Sequence, residues 1–211
     1  MRVIAGEWRG RRLQSPVGRA TRPTGEKVRE AMFDVLSALL MAAGPRLAAP
    51  PDAALSDRPV GVFSGLVVLD LFAGAGGLGI EALSRGAARC TFVEHDPAAL
   101  TALRRNLTYL EVDAARGRVV AADYRRALQT DARGGSVYTL VLVDPPYASY
   151  PQVECELRRS LGQILAREAL VVVEARRSQV VDLPLPERRH KLYGDTQVVV
   201  LSADTSAEWE A

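Results

Sequence analysis

From residue 65 onward, short apolar runs alternate with segments whose apolar residues recur at helical spacing. The first run is Leu66–Leu71, and the alternation continues to a fifth run at Leu170–Glu174. Apolar strands that alternate with helices indicate a parallel sheet covered by helices on both faces. Two further segments, Arg188–Tyr193 and Gln197–Ser202, flank a Gly-Asp pair and predict an antiparallel hairpin. The expected fold class is therefore α/β, with a mostly parallel seven-stranded sheet and an antiparallel C-terminal hairpin.

The segment before this sheet is organised differently. Residues 2–14 predict a short β-hairpin, and the apolar residues from Val28 to Leu40 fall on one face of a following helix. Residues 42–64 are rich in Ala and Pro and lack periodicity, which is typical of a linker or mobile loop. We expect an N-terminal extension at 1–41, a linker at 42–64 and a main domain at 65–211.

Positive charge is concentrated in the N-terminal extension. The chain has 27 Lys and Arg against 25 Asp and Glu, but residues 1–30 hold eight basic and only three acidic side chains. A cationic patch on a nearly neutral body indicates a nucleic-acid contact surface, although a chain whose basic residues are almost all Arg also carries Arg on ordinary solvated faces. The candidate RNA-binding residues are Arg2, Arg9, Arg11, Arg12 and Arg22.

Composition excludes several classes of protein. The two Cys and two His form neither a disulfide framework nor a group with metal-ligand spacing, so we expect no metal. No apolar run reaches the roughly 18 residues of a membrane helix, and the first residues lack the apolar stretch of a secretion signal. We expect a cytoplasmic protein that does not contact a membrane. Since no helical or strand seam indicates an oligomer, we also expect a monomer.

A glycine-rich turn follows the first strand. Gly74 to Gly79 reads G-x-G-x-x-G, and Glu94 lies 20 residues after Gly74 at the end of the next strand. This arrangement indicates a nucleoside-bearing cofactor whose ribose hydroxyls meet the acid, so NAD and S-adenosylmethionine are both candidates. Asp70 favours the second, because a carboxylate ahead of the glycines repels a pyrophosphate and suits an ammonium group. Asp123, after the third strand, is a candidate acceptor for an adenine amino group or an ordinary helix N-cap.

The fourth strand ends in Asp144-Pro145-Pro146-Tyr147. The two prolines fix the backbone and stop the strand, so a carboxylate and a carbonyl are held at the sheet edge. Asp144 and the Pro145 carbonyl can accept both hydrogens of an exocyclic amine while the Tyr147 ring stacks on its base. These acceptors stabilise the positive charge that develops on the amine as it attacks a sulfonium methyl group. The motif therefore predicts methylation of a nucleobase amine, unless it is only a Pro-Pro turn capped by an Asp.

The two motifs resemble the signatures of class I S-adenosylmethionine-dependent methyltransferases that act on exocyclic amines. A narrower resemblance runs nearly end to end, on R-V-I-A-G-x-W-R-G-R-x-L at 2–13, R-P-T-x-x-x-V-R-E at 22–30, F-A-G-x-G-x-L-G-I-E-A-L-S-R-G-A at 72–87 and Y-G-D-T at 193–196. In these segments the chain is similar to the bacterial 16S rRNA guanine-N2 methyltransferases that modify guanine 966. The stretch at 42–64 is longer than the connector usual in that family.

The resemblance implies a Rossmann-like class I methyltransferase fold with a small N-terminal β-hairpin and helix extension. It implies methyl transfer from S-adenosyl-L-methionine to N2 of guanine 966 in 16S rRNA of the 30S subunit, leaving S-adenosyl-L-homocysteine. Asp144, Pro145, Pro146 and Tyr147 would hold the target guanine, and the hairpin would lie on RNA phosphates. The cofactor site that the resemblance implies comprises Asp70, Phe72, Ala73, Gly74, Gly76, Glu94, His95, Asp123, Tyr124 and Thr24.

Three alternatives stay open on the sequence. An adenine-N6 methyltransferase of DNA or RNA fits D-P-P-Y equally well, although the chain lacks an obvious separate target-recognition domain. An NAD-dependent oxidoreductase fits the glycine spacing. A non-catalytic RNA-binding module of ribosome assembly fits the basic extension.

Overall fold

The structure, a computed structural model, describes residues 1–16, 25–43 and 61–203. Within these ranges the chain forms five α-helices and one seven-stranded sheet. The helices are α1 (Glu26–Ala43), α2 (Gly77–Ser84), α3 (Pro97–Tyr109), α4 (Tyr124–Arg133) and α5 (Tyr150–Ile164). The strands are β1 (Val67–Asp70), β2 (Arg89–Glu94), β3 (Gly117–Ala121), β4 (Tyr138–Val143), β5 (Leu165–Arg176), β6 (Glu187–Tyr193) and β7 (Thr196–Ser202).

The strand order in the sheet is β3-β2-β1-β4-β5-β7-β6. Strands β1 to β5 run parallel, whereas β7 pairs antiparallel with both β5 and β6. The α/β class and the antiparallel C-terminal hairpin are therefore confirmed. The strand order changes direction between β1 and β4, and open parallel sheets bind ligands outside the carboxyl ends of the strands at such a point.

Two hydrophobic cores cover the two faces of the sheet. Because successive side chains of a strand point to opposite faces, Val68 packs with α1, α2 and α3 in one core and Leu69 packs with α4 and α5 in the other. All four residues of β1 and all six of β4 are buried. Burial on both faces explains why these strands appear in the sequence as continuous apolar runs. In the described ranges, no helix combines the length and the apolar character that a bilayer crossing requires.

Several element boundaries differ from the sequence predictions. Helix α1 runs to Ala43, so it includes the first two residues of the predicted linker, whereas residues 44–60 lie outside the described part of the chain. Strand β5 begins at Leu165 instead of Leu170, since Leu165 pairs with Tyr138 ahead of a register break. The early part of β5 is half-exposed and lacks the apolar run that marks the buried part.

The predicted N-terminal hairpin is present as a compact loop closed by one antiparallel bridge between Arg2 and Arg12. The backbone N–H of Val3 donates to the Arg11 carbonyl at 2.9 Å, and the N–H of Gly10 donates to the Val3 carbonyl at 2.9 Å. This loop is too short to form two regular strands. Its apolar side chains nevertheless join the core on the α1 side of the sheet, namely Val3, Trp8 and Leu13.

Buried polar groups of α2 dock this hairpin on the main domain. The Glu81 carboxylate accepts the backbone N–H of Ile4 at 2.8 Å and that of Ala5 at 3.1 Å. The Ser84 hydroxyl donates to the Ala5 carbonyl at 2.6 Å. Gly6 has a φ of +83°, and a β-carbon there would stand 1.8 Å from the Ser84 carbonyl oxygen. These contacts hold the hairpin in one position on α2, and only glycine fits where the hairpin approaches α2 most closely.

Candidate active site

A cavity of about 440 Å³ opens at the carboxyl ends of β1 and β4. Asp70 ends β1 and is in register with Leu142 of β4, two residues before Asp144. The fold thus places the glycine turn and the D-P-P-Y segment side by side at the point where the strand order changes direction. The predicted site residues on the cavity lining are Asp70, Phe72, Ala73, Gly74, Glu94, His95, Asp144, Pro145, Pro146 and Tyr147.

Other predicted site residues lie off this lining. Gly76 is the N-cap of α2 with φ 92°, a left-handed conformation that favours glycine. Asp123 is the N-cap of α4 and accepts a hydrogen bond from the backbone of that helix. The Tyr124 ring packs on Phe72, with their centroids 5.1 Å apart. Outside the described residues lie Arg22 and Thr24.

Asp70 is a buried carboxylate, and only one of its two oxygens accepts a hydrogen bond from the described residues. Its Oδ2 accepts the backbone N–H of Gly79 at 2.8 Å, whereas the equally buried Oδ1 has no partner among the described residues. The pKa of Asp70 is raised to about 7, chiefly by burial and also by the nearby Asp144 and Glu94, whereas the Gly79 hydrogen bond lowers it. A buried acceptor on a cavity wall needs a partner, so a cationic donor group fits there.

Glu94 holds the glycine turn in place. Its Oε2 accepts the N–H of Gly74 at 2.9 Å, and its Oε1 accepts the N–H groups of His95 at 2.7 Å and Asp96 at 2.8 Å. Since each carboxylate oxygen has two lone pairs, Oε1 is fully occupied, and Oε2 retains one lone pair that can accept a hydroxyl group from the cavity. The His95 side chain is 70 % exposed, with Nδ1 3.5 Å from Glu94.

Contacts to its hydroxyl, its ring and its backbone carbonyl hold Tyr147 in place. Strand β4 stops before Asp144, and a 3₁₀ helix begins at Tyr147. The Tyr147 hydroxyl lies 2.8 Å from the Thr196 hydroxyl, in a hydrogen bond in which either can donate. The Gln179 side chain donates to the Tyr147 carbonyl at 2.8 Å, and the Arg176 guanidinium lies 5.5 Å from the ring centroid. The ring is therefore a pre-set flat surface beside the Asp144 carboxylate.

Two buried charged residues that were not predicted from the sequence line the same cavity, namely Arg29 of α1 and Glu174 of β5. Their exposed fractions are only 1 % and 5 %. The spacing of Arg29 in the sequence could have indicated its burial, because Arg29 lies three and four residues before Met32 and Phe33 and so shares their apolar helix face. Glu174 follows the apolar run Ala169–Val173 within β5, just as Asp70 and Glu94 follow the apolar runs of β1 and β2.

The basic residues of the hairpin are at the surface. Arg2, Arg9, Arg11 and Arg12 are all exposed. Arg2 pairs with Glu26 at 3.3 Å, and the Arg11 guanidinium lies 5.2 Å from the Tyr109 ring centroid. Among the residues that the structure describes, no three His, Cys, Asp or Glu side chains group as a metal site.

Asn106 connects the hairpin to the glycine turn. Its side chain exchanges two hydrogen bonds with the backbone of Gln14, at 2.8 Å and 3.0 Å. Its amide also donates to the Ala75 carbonyl at 2.9 Å. The exit of the basic hairpin and the glycine turn therefore share one buried side chain, so their relative position is fixed.

Comparison with known proteins bears on what this site does. The family model described as conserved hypothetical protein 95 matches residues 1–202. The ribosomal RNA small subunit methyltransferase D of Escherichia coli is 35 % identical over 175 residues, which cover 83 % of this chain and 74 % of the relative. YlbH of Bacillus subtilis, named as a candidate rRNA methyltransferase, is 35 % identical over 205 residues, covering 95 % of this chain and 97 % of that protein.

Solved structures agree with these relatives. The Escherichia coli protein yhhF, named as a candidate methyltransferase, superposes with a TM-score of 0.74 at 30 % identity, covering 98 % of this chain and 99 % of that one. The sheet is that of a Rossmann-like methyltransferase fold. The chain therefore belongs to the conserved hypothetical protein 95 family of class I methyltransferases, the family of ribosomal RNA small subunit methyltransferase D.

Proposed function

We propose that this protein transfers a methyl group from S-adenosyl-L-methionine to an exocyclic amine of 16S rRNA, namely N2 of guanine 966, in the 30S subunit. One observation carries the proposal: the buried Asp70 and the D-P-P-Y segment line a single cavity at the carboxyl ends of adjacent parallel strands. An acceptor for a cationic cofactor group and a pair of acceptors for an amine are thereby brought together.

The cavity residues fit the cofactor. The unpartnered Oδ1 of Asp70 would accept the ammonium group, and the remaining lone pair of Glu94 Oε2 would accept a ribose hydroxyl. Phe72, with Tyr124 behind it, would lie beside the adenosine, and Asp123 would meet the adenine amino group. When bound, S-adenosylmethionine supplies an electrophilic methyl group on a sulfonium. The product to be released would be S-adenosyl-L-homocysteine.

The D-P-P-Y residues would hold the acceptor amine. The Asp144 carboxylate and the Pro145 carbonyl accept its two hydrogens, and the Tyr147 ring stacks on the base. These bonds favour a tetrahedral amine nitrogen whose lone pair is free to attack, and they stabilise the positive charge that forms there. The nitrogen becomes neutral again when the methylated amine releases one proton to solvent. Because the displacement is a single in-line step, positioning of the amine does most of the catalytic work and no nucleophilic side chain is required.

The hairpin supplies the RNA-facing charge of this proposal. Its exposed arginines lie on a loop that α2 and Asn106 hold in place beside the glycine turn. Phosphate contacts by such side chains would position the RNA, while the target pocket would select the base. The Escherichia coli relative is named for small-subunit rRNA, which supports 16S rRNA as the substrate. The proposal adds a cytoplasmic location and action by a monomer on the 30S subunit.

Calorimetry and methylation together test the proposal. We expect S-adenosylhomocysteine to bind and NADH to cause no heat change. Asp144→Asn should retain the binding of S-adenosylhomocysteine but lower methyl transfer to small subunits by at least about 100-fold, since it weakens an acceptor aimed at the developing charge. Asp34→Asn, at an exposed position of α1, is the matched control and should leave both measurements unchanged.

Two results would redirect the assignment. Binding of NADH without S-adenosylhomocysteine would indicate an oxidoreductase. If the intact protein binds both cofactor and subunits but transfers no methyl group at any assembly stage, a non-catalytic assembly module explains the chain better.

A further inference from the structure

Arg29 is a fully buried cation that the proposed methyl transfer does not use. It is 1 % exposed and lies on the apolar face of α1 with Met32 and Phe33, yet it also lines the cavity of the candidate active site. Burying a guanidinium is costly unless its charge and its donors are met. Its contacts therefore decide whether it only supports the fold or also awaits a ligand.

The protein satisfies Arg29 incompletely. Its Nη2 donates to the Arg2 carbonyl at 2.5 Å, and its Nη1 lies 3.7 Å from the Met1 sulfur, a weak acceptor. Its Nε is buried without a hydrogen-bond partner among the described residues. The nearby Glu81 carboxylate already accepts the N–H groups of Ile4 and Ala5. A guanidinium has five N–H donors, so acceptors are missing.

The side chains of Arg29 and Asp70 both approach the first turn of α2. A β-carbon on Gly77 would stand 3.8 Å from Nη1 of Arg29, and one on Gly79 would stand 3.0 Å from Oδ2 of Asp70. Gly77 and Gly79 belong to the first turn of α2, and the positive end of the helix dipole at this turn also favours an anion. One cation and one anion, each with an unpartnered buried atom, therefore face a single cavity.

We propose that Arg29 binds the α-carboxylate of the cofactor's amino-acid portion, while Asp70 binds its ammonium group. This assignment rests on the proposed function. An amino acid is a zwitterion, so a site that recognises it needs one charge of each sign. Arg29 is the buried cation on the described lining, and Asp70 is the buried anion at the same turn of α2, whereas the buried Glu174 lies on β5. A guanidinium is suited to the task because its fork of N–H donors matches a carboxylate.

The test compares two ligands that differ in the carboxylate. S-adenosylmethionine has it, whereas decarboxylated S-adenosylmethionine keeps the ammonium and sulfonium groups and lacks it. By calorimetry, Arg29→Gln should weaken the binding of S-adenosylmethionine by about 10- to 100-fold, the range for a hydrogen bond to a charged group. It should change the binding of the decarboxylated ligand by less than about threefold.

Arg85→Gln is the matched control. Arg85 contacts the same surroundings, since its Nε donates to Glu81 at 2.8 Å and its guanidinium lies 4.9 Å from the Phe33 ring centroid, but it does not line the cavity. The control should affect the two ligands equally. If Arg29→Gln also weakens both ligands equally, Arg29 has a structural role only and the inference is wrong.

A second variant covers the case in which Arg29→Gln does not fold. Arg29→Lys keeps the buried charge but loses the planar fork, and it should still bind S-adenosylmethionine at least threefold more weakly than the intact protein while binding the decarboxylated ligand unchanged. An unchanged affinity for both would overturn the inference alone. If the intact protein binds neither S-adenosylmethionine nor S-adenosylhomocysteine, the proposed function fails together with the inference.

Discussion

Replacing Asp70 by Asn should make the cofactor-free protein more stable at alkaline pH. The substitution keeps the shape of the side chain and an oxygen that can accept the Gly79 N–H, which lies 2.8 Å from the carboxylate. It removes a negative charge that is buried in the cavity wall and has one unpartnered oxygen. While the cationic ligand is absent, the buried negative charge has no compensating partner and destabilises the folded protein. Removing that charge should therefore increase the free energy of unfolding.

The size of the effect follows from the pKa of Asp70. The pKa rises from 3.8 to about 7 on folding, so this side chain contributes most stability below pH 3.8 and that contribution is lost as the pH rises through about 7. At 1.36 kcal/mol per pH unit, about 4 kcal/mol is lost by pH 8, of which about 3 kcal/mol is lost between pH 5 and pH 8. The buried amide of Asn costs about 1–3 kcal/mol at either pH and cancels from that difference.

Urea unfolding of the cofactor-free proteins at pH 5 and pH 8 measures this effect. The difference in unfolding free energy between Asp70→Asn and the intact protein should shift by about 3 kcal/mol in favour of the variant between the two pH values. Asp34→Asn, at an exposed position, should show no such shift. A difference that is the same at both pH values would refute the argument, because Asp70 would then titrate as an ordinary carboxyl group.

Two further predictions concern the packing that positions the site. Gly79→Ala places a β-carbon 2.4 Å from a ring carbon of Phe92 and should lower the unfolding free energy by about 1–3 kcal/mol. In contrast, a β-carbon on Gly162 of helix α5 meets open space, so Gly162→Ala should raise the unfolding free energy by about 0.5–1 kcal/mol. Urea denaturation of the two variants measures both changes. Glu81→Gln keeps one acceptor oxygen and turns an amide N–H₂ toward the N–H group of either Ile4 or Ala5. The substitution should therefore cost about 1–3 kcal/mol and expose the hairpin arginines to faster cleavage by trypsin. An unchanged cleavage rate in that variant would show that Glu81 does not anchor the hairpin.

The order of elements and the main site residues could be predicted from the sequence. Central strands that are buried on both faces give continuous apolar runs, and the helices between them give apolar residues at helical spacing. Asp70 and Glu94 stood out because each is an acid at the end of such a run. Asp144 stood out because two prolines follow it.

Other features need the folded chain. Nothing in the local pattern tells that β4 lies beside β1, which is what brings Asp144 next to Asp70. Arg29 and Glu81 are charged residues in otherwise apolar helix faces, and their partners are 27 and 77 residues away along the chain. A contact of that kind is set by tertiary packing, so helix periodicity reveals the anomaly but not its cause.

The most direct test of the account is to map the methyl group itself. The intact protein is incubated with tritiated S-adenosylmethionine and small subunits from a strain that lacks this methylation, and the labelled nucleotide is located by nuclease digestion and mass spectrometry. We predict label on N2 of guanine 966, and its loss with Asp144→Asn. Label on an adenine N6 or on another nucleotide would contradict the proposed target, and absence of label from subunits and naked 16S rRNA alike would contradict the proposed reaction.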